Sequence, residues 1–121
     1  MILADVSIWI EFFRSRMPAL RGLLATRQIA MHPCVVAELA LGSLHDRDIT
    51  LAKLDSMPML RLVDLRDVGR MIEARSLWSK GIGLTDAHLL ASCLATPGTF
   101  LWTRDARLSK QAERLGIRAT P

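Results

Sequence analysis

Short apolar runs alternate along the chain with longer segments that carry apolar residues at helical spacing. The runs typical of buried strands are MILAD (1–5), QIAMH (28–32), LRLVDL (60–65) and TFLWT (99–103), and IRAT (117–120) is a candidate for a last short strand. Helical periodicity covers residues 7–13, 18–27, 34–42, 46–57, 67–81, 85–95 and 104–116, and several of these segments begin near a proline or end at a glycine. Because strands that alternate with helices require crossover connections, this order predicts an α/β fold, specifically a parallel-sheet α/β/α sandwich.

Length and composition narrow the class of protein. With 121 residues, half of them hydrophobic, the chain suits a single domain over residues 1–121 with a real core. No apolar run approaches the ~18 residues that a membrane-spanning helix needs, and the N-terminus lacks the basic start and cleavage site of a secretory signal. Cys34 and Cys93 lie in apolar helical patterns, which predicts small interior residues of a cytoplasmic protein.

The charge balance favours a polyanionic partner. Sixteen basic residues against twelve acidic ones give a net charge of +4, and thirteen of the sixteen are arginines. Arginine suits planar, bidentate contact with phosphate. Many small basic proteins bind no nucleic acid, however, so the charge alone does not decide the partner.

Three aspartates stand where the chain leaves a predicted strand or enters a predicted helix. Asp5 ends the first strand, Asp105 follows the strand TFLWT by two residues, and Asp86 begins the helix after the GIGL turn. Ligand sites of parallel sheets lie beyond the carboxyl ends of the strands, so the three acids are expected on that side. Each also has an alternative structural role, because an aspartate at a helix N-terminus caps the helix or complements its dipole.

A fourth acid, Glu38, is harder to explain structurally. Its helical neighbours three and four positions away are all small or apolar: Cys34, Val35, Leu41 and Gly42. The pattern therefore predicts that Glu38 faces a buried stripe, where a glutamate must be paired, protonated or bound to a cation. No basic residue stands at helical spacing from it, which leaves a metal ion or a distant arginine as its partner.

Four carboxylates gathered at one sheet edge would repel one another unless a cation lay between them. Mg²⁺ and Mn²⁺ prefer oxygen ligands, and a site without histidine or cysteine argues against structural zinc. Hydrolysis of a phosphodiester is the chemistry that such a site suits. The sequence offers no Walker loop, dinucleotide-binding glycine motif or Ser-His-Asp set as a competing assignment.

The remaining residues with functional potential are assigned structural roles. Trp9, Trp78 and Trp102 lie in apolar patterns and are predicted to belong to the core rather than to stack on nucleobases. His88 is two positions from Asp86, about 200° around the helix, so the two cannot face one site.

Four segments together resemble a known family. ILADVSIWIEFF, VVAELALGS, GIGLTDAHLLASCL and LWTRDARLSKQAERLGI are similar, in this order, to the motifs of PIN-domain ribonucleases, especially the VapC toxins of bacterial toxin–antitoxin pairs. Each motif is weak alone, but together they cover nearly the whole chain.

The resemblance implies a set of site residues and partners. By motif position, the catalytic acids would be Asp5, Glu38, Asp86 and Asp105, with the three aspartates as metal ligands. The resemblance also implies Mg²⁺- or Mn²⁺-dependent cleavage of structured RNA that leaves a 3′-hydroxyl and a 5′-phosphate. Members of the family commonly form homodimers and are inhibited by a VapB-type antitoxin.

The first motif departs from the usual pattern, because Val6 stands where the family often has threonine or serine. The next hydroxyl position is kept as Ser7, and Thr103 matches the threonine two residues before the last acid. We expect Ser7 and Thr103 to support the metal site through hydrogen bonds, although both could also cap helices. Candidates for contacts with RNA phosphates are arginines outside the acidic pocket: Arg14, Arg16, Arg104 and Arg107.

The sequence leaves two alternatives to a PIN-domain ribonuclease. A receiver-type signalling domain has a parallel α/β fold of similar size, but it would need an acidic pair after the first strand and a lysine after a late strand. Asp5 has no acidic neighbour and the segment LWTRDAR has no lysine. A catalytically inactive PIN domain that only binds a partner is the other alternative.

Overall fold

A short parallel sheet lies at the centre of the protein. The computed structural model describes residues 1–15 and 17–121, and over these residues three strands pair in the order β2–β1–β3. They are β1 (Ile2–Ala4), β2 (Ile29–Ala30) and β3 (Phe100–Trp102). Ile2 is opposite Ile29 on one side and Phe100 on the other, so both neighbours run parallel to β1. Their carboxyl ends therefore lie at the same edge of the sheet.

Helices connect and cover the strands. Within the same described residues they are α1 (Val6–Ser15), α2 (Pro18–Ala25), α3 (Pro33–Ala40), α4 (Arg47–Asp55), α5 (Leu65–Ala74), α6 (Leu84–Ala95) and α7 (Ala106–Arg114). The predicted parallel α/β/α architecture is confirmed. Among the described residues, no helix is long and apolar enough to cross a bilayer.

The core packs the central strands against the inner faces of the helices. Leu3 of β1 and Leu101 of β3 are completely buried, and they pack with apolar side chains from most of the helices, including Ile8, Leu20, Val35, Leu89, Leu90 and Leu108. Cys93 is buried and Cys34 is half-buried, and both are free thiols, as expected for small interior residues.

Of two predicted strands, 117–120 is reduced to a single bridge, and 60–65 is wrong, because only Met59 just before it bridges the sheet. Met31 bridges Met59 and Leu101 bridges Arg118, both in the parallel sense, so the chain at 58–60 and 117–119 only touches the sheet edges. The apolar run 60–65 does not continue as a strand, because Asp64 accepts a hydrogen bond from the backbone N–H of Arg66 and starts α5. Helix capping therefore ends the extended segment early.

The helix predicted over 67–81 ends at Ala74. Ser76 and Ser79 have φ angles of +54° and +57°, which lie in the left-handed region and cannot continue a right-handed helix. The Arg114 side chain of α7 donates to the carbonyl oxygen of Arg75 at 2.7 Å and so closes the helix end. The prediction of a core position for Trp78 is wrong, because this turn leaves its side chain 54% exposed. Trp9 is buried as predicted, and Trp102 is half-buried.

His32 holds three segments together from inside the core, a role that the sequence did not indicate. Its ring is completely buried, and Nδ1 accepts a hydrogen bond from the backbone N–H of Cys34, which caps α3. Nε2 lies 2.8 Å from the hydroxyl of Ser92, which itself donates to the carbonyl oxygen of Arg61 at 2.8 Å. Because the serine proton is already used, Nε2 carries the ring proton and the ring is neutral. Burial and then the charge of His88 lower the pKa of His32 from 6.5 to about 4.

Candidate active site

Pairing of β1 with β3 places Asp5 beside Thr103. Ala4 is opposite Trp102 in the ladder, and the backbone N–H of Asp5 continues the pairing by donating to the carbonyl oxygen of Trp102 at 3.0 Å. Asp5 is only 5% exposed. The apolar strand β1 is thus followed by a buried carboxylate, which needs hydrogen-bond partners.

Two hydroxyl groups meet this need. Ser7 Oγ donates to Oδ1 of Asp5 at 2.5 Å, and Thr103 Oγ1 donates to Oδ2 at 2.5 Å. The backbone N–H of Ile8 also donates to Oδ1, at 3.3 Å. Hydrogen bonds to an ionised acceptor are among the stronger ones in proteins, so the Asp5 carboxylate is held in one orientation.

The same hydroxyls fix the loop that leads to Asp105. Ser7 Oγ accepts from the backbone N–H of Arg104 at 3.0 Å, and Thr103 Oγ1 accepts from the backbone N–H of Asp105 at 3.0 Å. Each hydroxyl therefore donates to Asp5 and accepts from the loop. Ser7 and Thr103 therefore connect the side chain of Asp5 to the backbone of the loop that carries Asp105.

Asp105 is exposed and caps α7. Its Oδ1 accepts hydrogen bonds from the backbone N–H groups of Arg107 at 2.9 Å and Leu108 at 3.1 Å. The structural alternative considered for this residue is thus realised. Both bonds use Oδ1, so capping the helix is compatible with presenting Oδ2 to a ligand.

Asp86 lies in the first turn of α6 and is half-buried. Its Oδ2 accepts from the backbone N–H of Gly83 at 3.3 Å. Burial raises the pKa of Asp86 above its usual value, the Gly83 N–H opposes that rise, and the charges of Asp105, Asp5 and Glu38 add to it. The other three predicted acids therefore lie within electrostatic range of Asp86, although the four come from separate segments.

Glu38 is exposed, so the expectation that it is buried on an apolar stripe is wrong. The apolar side of α3 opens onto a cleft of about 470 Å³, whose lining includes Val6, Ile10 and Leu39, and Glu38 stands at this cleft. Oε1 of Glu38 accepts a hydrogen bond from the hydroxyl of Thr85 at 3.3 Å, which links it to the first turn of α6. Glu38 is thus connected to the residue that precedes Asp86 by a hydrogen bond rather than by burial.

The donor set fits a hard divalent cation. It consists of carboxylate oxygens, and the charges of three other acids, Asp105, Asp5 and Glu38, act on Asp86. Over residues 1–15 and 17–121, no three acidic, histidine or cysteine side chains stand at the spacing of a finished coordination shell. Mg²⁺ commonly binds through only one or two carboxylates and keeps several waters, so a wider ring of acids still suits it.

The four candidate arginines have different environments. Arg104 forms a two-pronged ion pair with Glu11, with Nε 2.9 Å from Oε2 and Nη2 3.3 Å from Oε1. Arg107 lies across Gly81, and Arg14 is exposed at the apolar cleft beside Glu38. Arg16 lies outside the described residues.

Glu11 and Thr85 are contacts of the site that the sequence analysis missed. Glu11 holds the side chain of Arg104, and Thr85 holds Glu38. The partners in these pairs are 93 and 47 positions apart, so no local spacing in the sequence could have indicated them.

Replacement of Asp86 by asparagine is expected to raise the Tm of the metal-free protein by a few degrees. The pKa of Asp86 is raised on folding, so the folded state favours its protonated form, and this contribution is lost as pH rises through the folded pKa. At neutral pH the carboxylate is therefore unfavourable, whereas an asparagine oxygen still accepts from Gly83. Thermal unfolding in chelator measures the shift.

Asp67 provides the matched control, because it occupies the same third position of α5 that Asp86 occupies in α6. It pairs with Arg70 at 2.6 Å, so Asp67→Asn removes a favourable charge and should cost about 0.3–1 kcal/mol. A decrease in Tm for both variants would contradict the repulsion inferred at Asp86.

Comparison with known proteins agrees with this architecture. The family model of the PIN domain matches residues 2–114, and the chain belongs to the PIN-domain family. Over 117 residues it is 40% identical to Ribonuclease VapC32 of Mycobacterium tuberculosis, in both strain CDC 1551 / Oshkosh and strain ATCC 25618 / H37Rv. The alignments cover 97% of this chain and 94% of each relative. The resemblance to VapC-type PIN domains is confirmed.

Proposed function

We propose that this protein is a VapC-type endoribonuclease toxin that hydrolyses phosphodiester bonds of structured RNA with Mg²⁺ or Mn²⁺. The observation that carries the proposal is the hydrogen bonding at the carboxyl ends of β1 and β3, where Ser7 and Thr103 donate to Asp5 and accept from the backbone of the loop that bears Asp105. The charges of Asp105, Asp5 and Glu38, which contribute to the raised pKa of Asp86, support it. Asp5 and Asp105 follow β1 and β3 at the sheet edge where ligand sites of parallel sheets lie, and we propose that Asp86 and Glu38 complete the site from α6 and α3. The relatives named above are ribonucleases.

In this proposal Asp5, Asp86 and Asp105 hold the cation, and Glu38 is the fourth catalytic acid. A bound Mg²⁺ or Mn²⁺ lowers the pKa of a water molecule and neutralises the charge that develops on the attacked phosphate. The three aspartates differ in exposure, from buried Asp5 to exposed Asp105, so they line the site from its floor to its rim.

Ser7 and Thr103 position the site without touching the substrate. They donate to the two oxygens of Asp5 and accept from the backbone of the loop at 104–105. Asp5 and Asp105 are therefore oriented before any ligand binds, which reduces the reorganisation that catalysis requires. Glu38 is oriented in the same way by the hydroxyl of Thr85.

RNA phosphates outside the acidic centre would be bound by Arg14, Arg104 and Arg107, and Arg16 stays a candidate from the sequence. Arg104 can contribute its remaining N–H groups while Glu11 holds it in place. Such contacts make RNA affinity decrease as salt concentration increases.

The proposal extends to assembly and regulation. We propose that the 121-residue chain acts as one PIN domain in a homodimer, in the cytoplasm, and that a VapB-type antitoxin neutralises it. These statements follow from the family resemblance.

The test is cleavage of structured RNA by the purified protein in Mg²⁺, in Mn²⁺ and in excess chelator. We expect new 5′-phosphorylated ends at defined positions with either metal and none in chelator, as read by sequencing of ligated 5′ ends. Cleavage that persists in chelator would contradict the metal requirement. RNA binding without cleavage under all conditions would instead favour the inactive PIN-domain alternative.

A further inference from the structure

Trp78 is an exposed aromatic residue close to the candidate active site. It lies in the turn between α5 and α6, and about half of its side-chain surface is accessible. Leu84, the first residue of α6, is similarly exposed. Trp78 and Leu84 line the same cleft, and grouped exposed apolar residues mark interaction sites more often than single ones do.

A small cleft adjoins Trp78. It has a volume of about 280 Å³ and is mostly apolar, with a lining that includes Ile72, Leu77, Trp78, Ile82, Leu84 and Ala87. This volume is near the lower limit of roughly 300 Å³ for small-ligand pockets, which suits a single planar group. Gly83 also lines the cleft, and its N–H donates to Oδ2 of Asp86. The cleft and the acidic site therefore share a wall.

Positive charge surrounds the same turn. Lys80 is exposed two residues after Trp78. Arg107 lies directly across Gly81, where a Cβ atom would come within 2.6 Å of Cδ and 2.9 Å of Nη1. Gly81 also has a φ angle of +77°, so glycine is required here both by conformation and by the close approach of the arginine.

We propose that Trp78 and this cleft form a nucleobase-binding subsite that holds one base of the RNA next to the phosphodiester being cleaved. The inference rests on the proposed function and adds a determinant of substrate position to it. An aromatic face stacks on any base, while Lys80 and Arg107 attract the flanking phosphates. A second copy of this chain would bring the same two cations against each other, so the charges favour RNA as the occupant.

The test compares binding of a short, fluorescently labelled single-stranded RNA to variants that carry Asp5→Asn, so that RNA is bound without being cleaved. Adding Trp78→Ala should weaken the affinity about 5- to 150-fold, the range expected for the loss of one stacked base. Trp78→Phe keeps an aromatic ring and should retain most of the affinity. Phe100→Ala is the control, because Phe100 is also exposed but begins β3 at the opposite edge of the sheet.

Salt dependence separates stacking from charge. Trp78→Ala should leave the slope of log affinity against log salt unchanged, whereas Lys80→Ala should reduce it by about 1. Unfolding curves of each variant verify that the fold is intact.

Three results would refute either the proposed subsite or the proposed function, and each result can be told apart from the others. If the Trp78→Ala protein binds RNA as tightly as its parent, the subsite is refuted while cleavage by the wild type still supports the proposed function. If Trp78→Ala dissociates a dimer in light scattering and leaves RNA affinity unchanged, the surface is a contact between copies and the subsite is refuted. If the wild type neither binds nor cleaves RNA, the proposed function itself fails.

Discussion

An Asp5→Asn protein is expected to cleave RNA more than about 100-fold more slowly than the wild type, since groups that merely orient metal ligands are already worth roughly 10- to 100-fold. The substitution removes the charge of the most buried acid of the site. It also replaces one carboxylate oxygen, which accepts a hydrogen bond from a hydroxyl group, with an amide NH₂ group, which can only donate. Either Ser7 or Thr103 then loses the acceptor of its proton, so the side chain at position 5 is no longer held in the same orientation.

Asp64→Asn is the appropriate control for this experiment. Asp64 caps α5 through the backbone N–H of Arg66, and asparagine caps a helix equally well, so activity and stability should both be retained. Initial rates on the same RNA with saturating Mn²⁺ give the comparison. If Asp5→Asn cleaves as fast as the Asp64→Asn protein, the assignment of the active site is incorrect.

The second large effect is a loss of stability in mild acid. We expect the free energy of unfolding to decrease by about 3 kcal/mol between pH 6.5 and pH 4 because of His32, whose pKa falls by burial from 6.5 to about 4 on folding. The unfolded chain binds a proton in this range and the folded protein does not. The contribution is therefore fully present above pH 6.5 and is lost as pH decreases towards 4.

Urea unfolding at several pH values tests this prediction, and His32→Asn is the informative variant. The asparagine oxygen can still accept from the backbone N–H of Cys34, but the side chain does not titrate and does not reach Ser92. The variant should be less stable at pH 7.5 and should have a flatter pH dependence between pH 6.5 and 5, where most carboxylates are still ionised. His45→Asn, at an exposed position, should keep the slope of the wild type. An equal slope in the His32→Asn protein would refute the role of His32.

The sequence was sufficient to predict the parts of the fold that depend on local patterns. The strands around Leu3, Ile29 and Leu101 are continuous apolar runs, and the rule for parallel sheets then puts Asp5 and Asp105 at one edge. Asp105 illustrates that a structural and a functional role need not compete, because its cap of α7 uses only Oδ1.

The predictions that were wrong or missing concern residues whose environment depends on tertiary contacts. Glu38 has small and apolar helical neighbours, but they do not share one environment: Val35 is buried in the core, whereas Leu41 is exposed and Gly42 borders the open cleft. Helical spacing alone cannot distinguish these environments. The turn after Ala74 depends on two serines with positive φ and on the side chain of Arg114, so the periodic pattern continued through Trp78 although the helix did not. The buried role of His32 depends on Ser92, which is 60 positions away.

The pairing of the first strand with the third has a consequence for when the protein becomes active during its synthesis. Thr103 follows Asp5 by 98 positions, and the two meet only when β3 has been added beside β1. Contacts between such distant segments form late and slowly in folding. A chain that has not yet added β3 therefore cannot have formed the hydrogen bond between Thr103 and Asp5, so the candidate site is assembled only after this late segment has been synthesised.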